Sequence, residues 1–91
     1  MQNRHNNLPI MFSSHAKDSM RKRGADEGDI IKTIQQSQWQ EAKEGRFEAK
    51  LDFPYNKDWN KKHYSTKQVN PVFVIEQGRV VVITVYVFYF N

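Results

Sequence analysis

Apolar and polar positions follow two different periods along this chain, and the change of period divides it into a helical front and a stranded back. Ala16 and Met20 stand four apart, after Ser13 and Ser14 and before Gly24. That order predicts a helix of about two and a half turns, capped by serine and closed by a glycine in the left-handed conformation. Asp26 is positioned to cap a second helix, with Asp29 three residues on near the favourable end of the dipole. Ile30, Ile31 and Ile34 give this helix its apolar stripe, which runs through to Gln36. From Trp39 the period falls to two: Phe47, Ala49 and Leu51 alternate with Arg46, Glu48, Lys50 and Asp52.

A hairpin of 39–43 with 46–53, turning at Glu44-Gly45, follows from that alternation. A polar loop over 54–70 then leads to a third strand at 71–76, and Gln77-Gly78 turns the chain into a last strand, 79–90. This last strand is apolar at both parities. Strict alternation puts Val80, Val82, Thr84, Tyr86, Phe88 and Phe90 on one face and Val81, Ile83, Val85, Val87 and Tyr89 on the other. It is predicted to be central. The fold class expected is α+β, with two short N-terminal helices packed on a four-stranded antiparallel meander. Residues 1–11, polar and containing Pro9, are expected to form a flexible arm ahead of a single domain over 12–91.

Ninety-one residues suffice for one domain with a modest core. The chain has no cysteine, which excludes disulfides, thiolate metal sites and cysteine nucleophiles. The longest apolar run, 80–90, is far short of the roughly 20 residues of a membrane helix, and the first residues lack the apolar core of a signal peptide. A soluble, cytoplasmic protein with no membrane association is therefore expected.

The formal charge of +4 is unevenly placed. Arg4, Lys17, Arg21, Lys22 and Arg23 face only Asp18 in the first segment, and 24–42 is acidic. Charge turns positive again over 43–67, where Phe47, Phe53, Tyr55, Trp59 and Tyr64 are interleaved with lysines. Such a stretch suits nucleic acid, with phosphates held by cations and bases stacked on rings. It also suits a solvated surface loop anchored by aromatic stems.

His15, at the start of the basic helix, carries the most informative chemistry. Histidine is the side-chain type whose charge ordinarily changes near neutral pH, and the neighbouring Lys17, Arg21, Lys22 and Arg23 attract anions. The alternative is an exposed or capping histidine with no chemical role. His5, His15 and His63 show no metal-ligand spacing, and no glycine-rich phosphate loop occurs, so neither metal nor cofactor is expected.

Phe12-x-x-His15-Ala16-x-x-x-Met20-x-x-Arg23-Gly24 at the front and Val81-Val82-Ile83-Thr84-Val85-Tyr86 at the end resemble an uncharacterised bacterial family, a domain of unknown function. That family is in turn similar to the RelE, ParE and BrnT toxins, whose wider group shares a small α+β core with barnase-like and colicin-like ribonucleases. The resemblance spans 12–90 and implies a RelE-like fold. It also implies toxin-type RNA endonuclease activity, with gyrase inhibition as another activity of the group. On this resemblance the helix histidine corresponds to His15, the following arginine to Arg23, the strand arginine to Arg46, and the terminal-strand polar pair to Thr84 and Tyr86.

Metal-independent RNA cleavage needs a base for the ribose 2′-OH, an acid for the leaving 5′-oxygen and cations for the charged phosphorus. His15 fits base or acid, Arg46 and Lys67 a phosphate clamp, Tyr86 or His63 the second proton-transfer group, and Trp59 or Tyr64 a stacking platform. Arg21, Arg23, Lys61 and Lys62 complete the expected RNA surface. Partners implied are RNA, free or ribosome-bound, and an antitoxin or a second copy covering an apolar sheet face left open by only two helices. A non-enzymatic nucleic-acid- or partner-binding module is the alternative.

Overall fold

The computed structural model describes residues 8–91, so most of the expected arm lies outside the described residues. Its last residues do not behave as an arm. Ile10–Phe12 form strand β1, paired in parallel with Val80, Val81 and Val82, and Val80 N–H donates to the Pro9 carbonyl at 2.9 Å.

Both helices form where the caps place them. Helix α1 is Ser14–Arg23, with Ser13 Oγ accepting from Ala16 N–H and Gly24 closing it at φ 85°. Helix α2 is Glu27–Gln36, and Asp26 and Asp29 form a reciprocal capping box. Strands β2 (Gln40–Glu41) and β3 (Phe47–Glu48) pair around a tight turn over Lys43–Gly45 in which Glu44 and Gly45 both take positive φ. This hairpin is shorter than the alternation predicts.

The expected loop over 54–70 is instead a long hairpin, the largest departure from the sequence reading. Strand β4 (Leu51–Trp59) pairs antiparallel with the first half of β5 (Lys62–Glu76), and β6 (Arg79–Phe90) pairs with β5 along nearly its whole length. Both turns are two residues long with both φ positive, Asn60-Lys61 and Gln77-Gly78, the twist that joins strands closely. The result is a mixed six-stranded sheet, in the order β1-β6-β5-β3-β2 with β4 also on β5, rather than a four-stranded antiparallel meander. The α+β class holds. Strand β6 is interior only as far as Val82, where β1 ends, and beyond it forms an edge.

Parity along β6 changes at Ile83. Val72 pairs with Thr84 but Phe73 pairs with Val82, so Ile83 is an extra residue on β6. The bulge places Val80, Val82 and Val85 in the core, with Val87 packed against it, while Tyr86, Phe88 and Phe90 are exposed. Strict alternation had grouped the last three with Val80 and Val82. Both helices lie on the core side, α1 against β6 and α2 against β5. Ala16, Ile30, Ile34, Val69 and Phe73 are buried there, and Trp39 packs edge-on to Phe73 with centroids 4.9 Å apart. At roughly 1.5–3 kcal/mol for each large side chain removed from water, these contacts hold the helices to one face of the sheet.

Candidate functional site

Where β1 stops, α1 takes over the edge of β6. Ser13 N–H donates to the Val82 carbonyl at 3.0 Å, and Ser13 Oγ donates to that of Ile83 at 3.1 Å. One serine thus caps the helix and fixes it to the strand. Further along, Ser19 Oγ lies 3.3 Å from Thr84 Oγ1 while donating to the His15 carbonyl at 2.8 Å. Arg23 Nη1 then donates to the Val85 carbonyl at 2.7 Å, and its guanidinium stands over the Tyr86 ring, 5.1 Å from the centroid. His15, Ser19 and Arg23 are spaced by four, so they share one face of α1. Along that edge Thr84 stands beside Ser19 and Tyr86 beside Arg23, with His15 one turn before Ser19 on the helix.

Within this group His15 is exposed, and among the described residues its side chain makes no hydrogen bond, ion pair or ring contact. Arg23 is exposed as well, with donors to spare beyond the one given to Val85. Arg21 and Lys22 both lie near Asp18, at 2.7 and 3.6 Å. The hydrogen bond from Arg21, then the charge of Lys22, holds the Asp18 carboxyl below its ordinary range. An open cavity of about 340 Å³ next to α1 is lined by Lys17, Met20, Arg21, Ala25, Asp26 and Glu27, and its charges are mixed in sign.

Arg46 does not join the group. It follows the β2–β3 turn, on the far side of β5 from β6. Lys67 is not a free cation either, because its Nζ lies 2.9 Å from Asp29 Oδ2 and donates to the Gly24 carbonyl at 3.1 Å. With Phe53 and Tyr55 rings beside it, Lys67 is a bolt between β5 and the start of α2.

Trp59 and Tyr64 belong to an aromatic cluster centred on Tyr89. Trp59 is stacked on Tyr89 at 4.9 Å and 19°, and Tyr55 and Tyr64 lie against the same ring at 5.1 and 5.7 Å. Tyr89 Oη donates to the Arg23 carbonyl at 2.7 Å, so the cluster closes over the end of α1. Gly24 is required there: a Cβ would sit 2.5 Å from Tyr89 Oη and 2.9 Å from the Trp59 ring. One ring face of Trp59 is therefore taken. Lys61 and Lys62 are exposed at the hairpin tip, Lys62 over Tyr64, and His63 Nδ1 lies 3.3 Å from Asp58 Oδ1.

Sequence reasoning missed Tyr89, the hub of the cluster. Phe88 and Phe90 extend Tyr86 into an exposed row on the face away from the helices, the three rings that alternation had already set on one face of the last strand. Among the described residues no cluster of histidine, aspartate and glutamate is arranged to hold a metal, and no helix is long and apolar enough to cross a membrane. Comparison of the chain with family models, curated proteins and solved structures finds no match.

Proposed function

We propose that the protein is a toxin-type RNA endonuclease that cuts phosphodiester bonds without a metal at the α1–β6 edge. The observation that carries this reading is the spacing of His15 and Arg23 on one face of α1, alongside Thr84 and Tyr86. In the reaction His15 accepts the proton of a ribose 2′-OH, whose oxygen attacks the adjacent phosphorus. A 2′,3′-cyclic phosphate forms, and the 5′-oxygen leaves with a proton from Tyr86. Arg23 supplies the charge for the phosphorane, since its planar guanidinium retains free donors at a solvent-facing edge. Arg46 has no part in this scheme, and His63 is too closely engaged at the hairpin tip with Asp58 to be preferred over Tyr86.

Purified protein incubated with RNA, alone and with ribosomes, tests the reading. His15→Ala is expected to abolish cleavage with the melting temperature nearly unchanged, because the side chain is exposed and unengaged. Wild-type protein that cleaves nothing in either setting sinks it. A binding module without catalysis is then the surviving reading, favoured by the exposed aromatic row of β6.

A further inference from the structure

We infer that the open face of the sheet is a track for a single nucleic-acid strand, with bases stacked on Tyr86, Phe88 and Phe90. The inference rests on the proposed function for nucleic acid as the ligand and for Arg23 and Tyr86 at the α1–β6 edge, and it requires no catalysis. Tyr86, Phe88 and Phe90 are 43, 49 and 39% exposed, a high value for large rings on a sheet. They follow one another at every second residue, about 6.8 Å apart along the strand. That step is twice the roughly 3.4 Å per nucleotide of a duplex strand, so only unstacked bases can match it.

What lies beside the rings also favours bases over an apolar partner. Directly across on β5, Tyr86 is paired with Asn70, Phe88 with Gln68 and Phe90 with Thr66. Phe88 and Phe90 thus stand next to the Gln68 amide and the Thr66 hydroxyl, as a platform for a planar ligand with polar edges requires, whereas the Asn70 beside Tyr86 is buried and engaged with Ala49 and Glu48. The face is polarised across the strands too. Arg23 stands at the β6 side, over Tyr86, while Asp52 and Glu48 lie on the far side, bonded to Gln68 and Asn70. Phosphates along the α1–β6 edge and bases directed towards β5 satisfy both flanks.

A second copy of the chain fits this face less well. Isologous packing would bury Asp52 and Glu48 of both copies in one interface, and carboxylates taken out of water with only neutral amides as partners are costly. Trp59 and Tyr64, the rings that the sequence nominates for stacking, are on Tyr89 on the opposite face.

The test uses a fluorescent mixed-sequence single-stranded oligodeoxynucleotide, which has no 2′-OH and so cannot be cut by the route above. Anisotropy titration is expected to show Phe88→Ala about tenfold weaker than wild type, the loss of one stacked base, with Phe88→Tyr restoring the affinity. The exposed position keeps the variant folded, which its melting temperature checks. A duplex of the same sequence is expected to bind more weakly than the single strand. Absence of binding by wild type, or equal affinity of Phe88→Ala and wild type, overturns the inference. So does a wild-type dimer in sedimentation that Phe88→Ala splits, which would assign the face to a second copy. Binding that depends on Phe88 in a protein that cuts no RNA overturns only the endonuclease reading; RNA cleavage by a protein whose strand affinity ignores Phe88→Ala overturns only this one.

Discussion

Asn70 Nδ2 donates to the Ala49 carbonyl at 2.8 Å, where the sheet ladder lacks a backbone donor. The register on either side, Glu48 opposite Val72 and Leu51 opposite Val69, sets Ala49 opposite Pro71. Ala49 N–H reaches the Pro71 carbonyl at 3.3 Å, but proline has no N–H to return. The neighbouring asparagine supplies it from its side chain. Buried proline in mid-strand is otherwise confined to edges and bulges, and here it marks the gap between β3 and β4.

Asn70→Ala is accordingly expected to lower stability by about 1–3 kcal/mol, since it leaves the Ala49 carbonyl and Glu48 without their donor. The loss depends on Pro71. In a Pro71→Ala background a backbone N–H is present again, and Asn70→Ala should cost distinctly less. A double-mutant cycle by urea denaturation reads this coupling. Equal costs in the two backgrounds would mean that Asn70 acts through Glu48 alone.

Lys67 was expected on the sequence to meet phosphate, and its partners give it a structural task. The ion pair with Asp29 is largely shielded, with side-chain exposures of 12 and 20%, and Asp29 also accepts from Asp26 N–H in the capping box. Lys67→Met keeps the stem and removes the charge. It should destabilise the fold by about 2 kcal/mol, the scale of a lost charged hydrogen bond, while oligonucleotide affinity per folded molecule stays unchanged. Weaker binding without a stability loss would return Lys67 to the ligand surface.

The legibility of this fold varied with how local the deciding interaction is. Caps at Ser13, Gly24, Asp26 and Asp29 are contacts within a turn, and the helices they bound were legible in the sequence. Turns at Glu44-Gly45 and Gln77-Gly78 were legible because glycine marks them. The Asn60-Lys61 turn has no glycine, and the strands on either side of it are too polar to read as core. Pro54 stands inside β4, where proline is ordinarily disfavoured. Pro71 is accommodated only by the Asn70 side chain, a contact no pattern announces. The bulge at Ile83 is likewise set by pairing with β5, and it decides which β6 rings meet the helices. Of the candidate site, the spacing of His15 and Arg23 was legible, whereas the separation of Arg46 and the engagement of Lys67 and Trp59 depend on strand order.

Tyr89 provides a test at alkaline pH. Burial first, then the neighbouring Tyr55 and Asp29, pushes its phenol up to about 12, from an ordinary value of 10.0. The folded protein therefore holds this proton more tightly than the unfolded chain does. The resulting stabilisation is fully present below pH 10 and is lost as pH rises from 10 towards 12. Physically, a phenolate cannot donate to the Arg23 carbonyl, and ionisation would place a charge under the Trp59 ring. Tyr89→Phe removes the titrating group while keeping the ring stack, so its melting temperature should be lower than wild type near neutrality and should fall less steeply with alkali. The two curves converge as the wild-type phenol ionises. Parallel curves across that range would show that Tyr89 ionises without regard to the fold, and that the cluster over Gly24 is looser than its distances state.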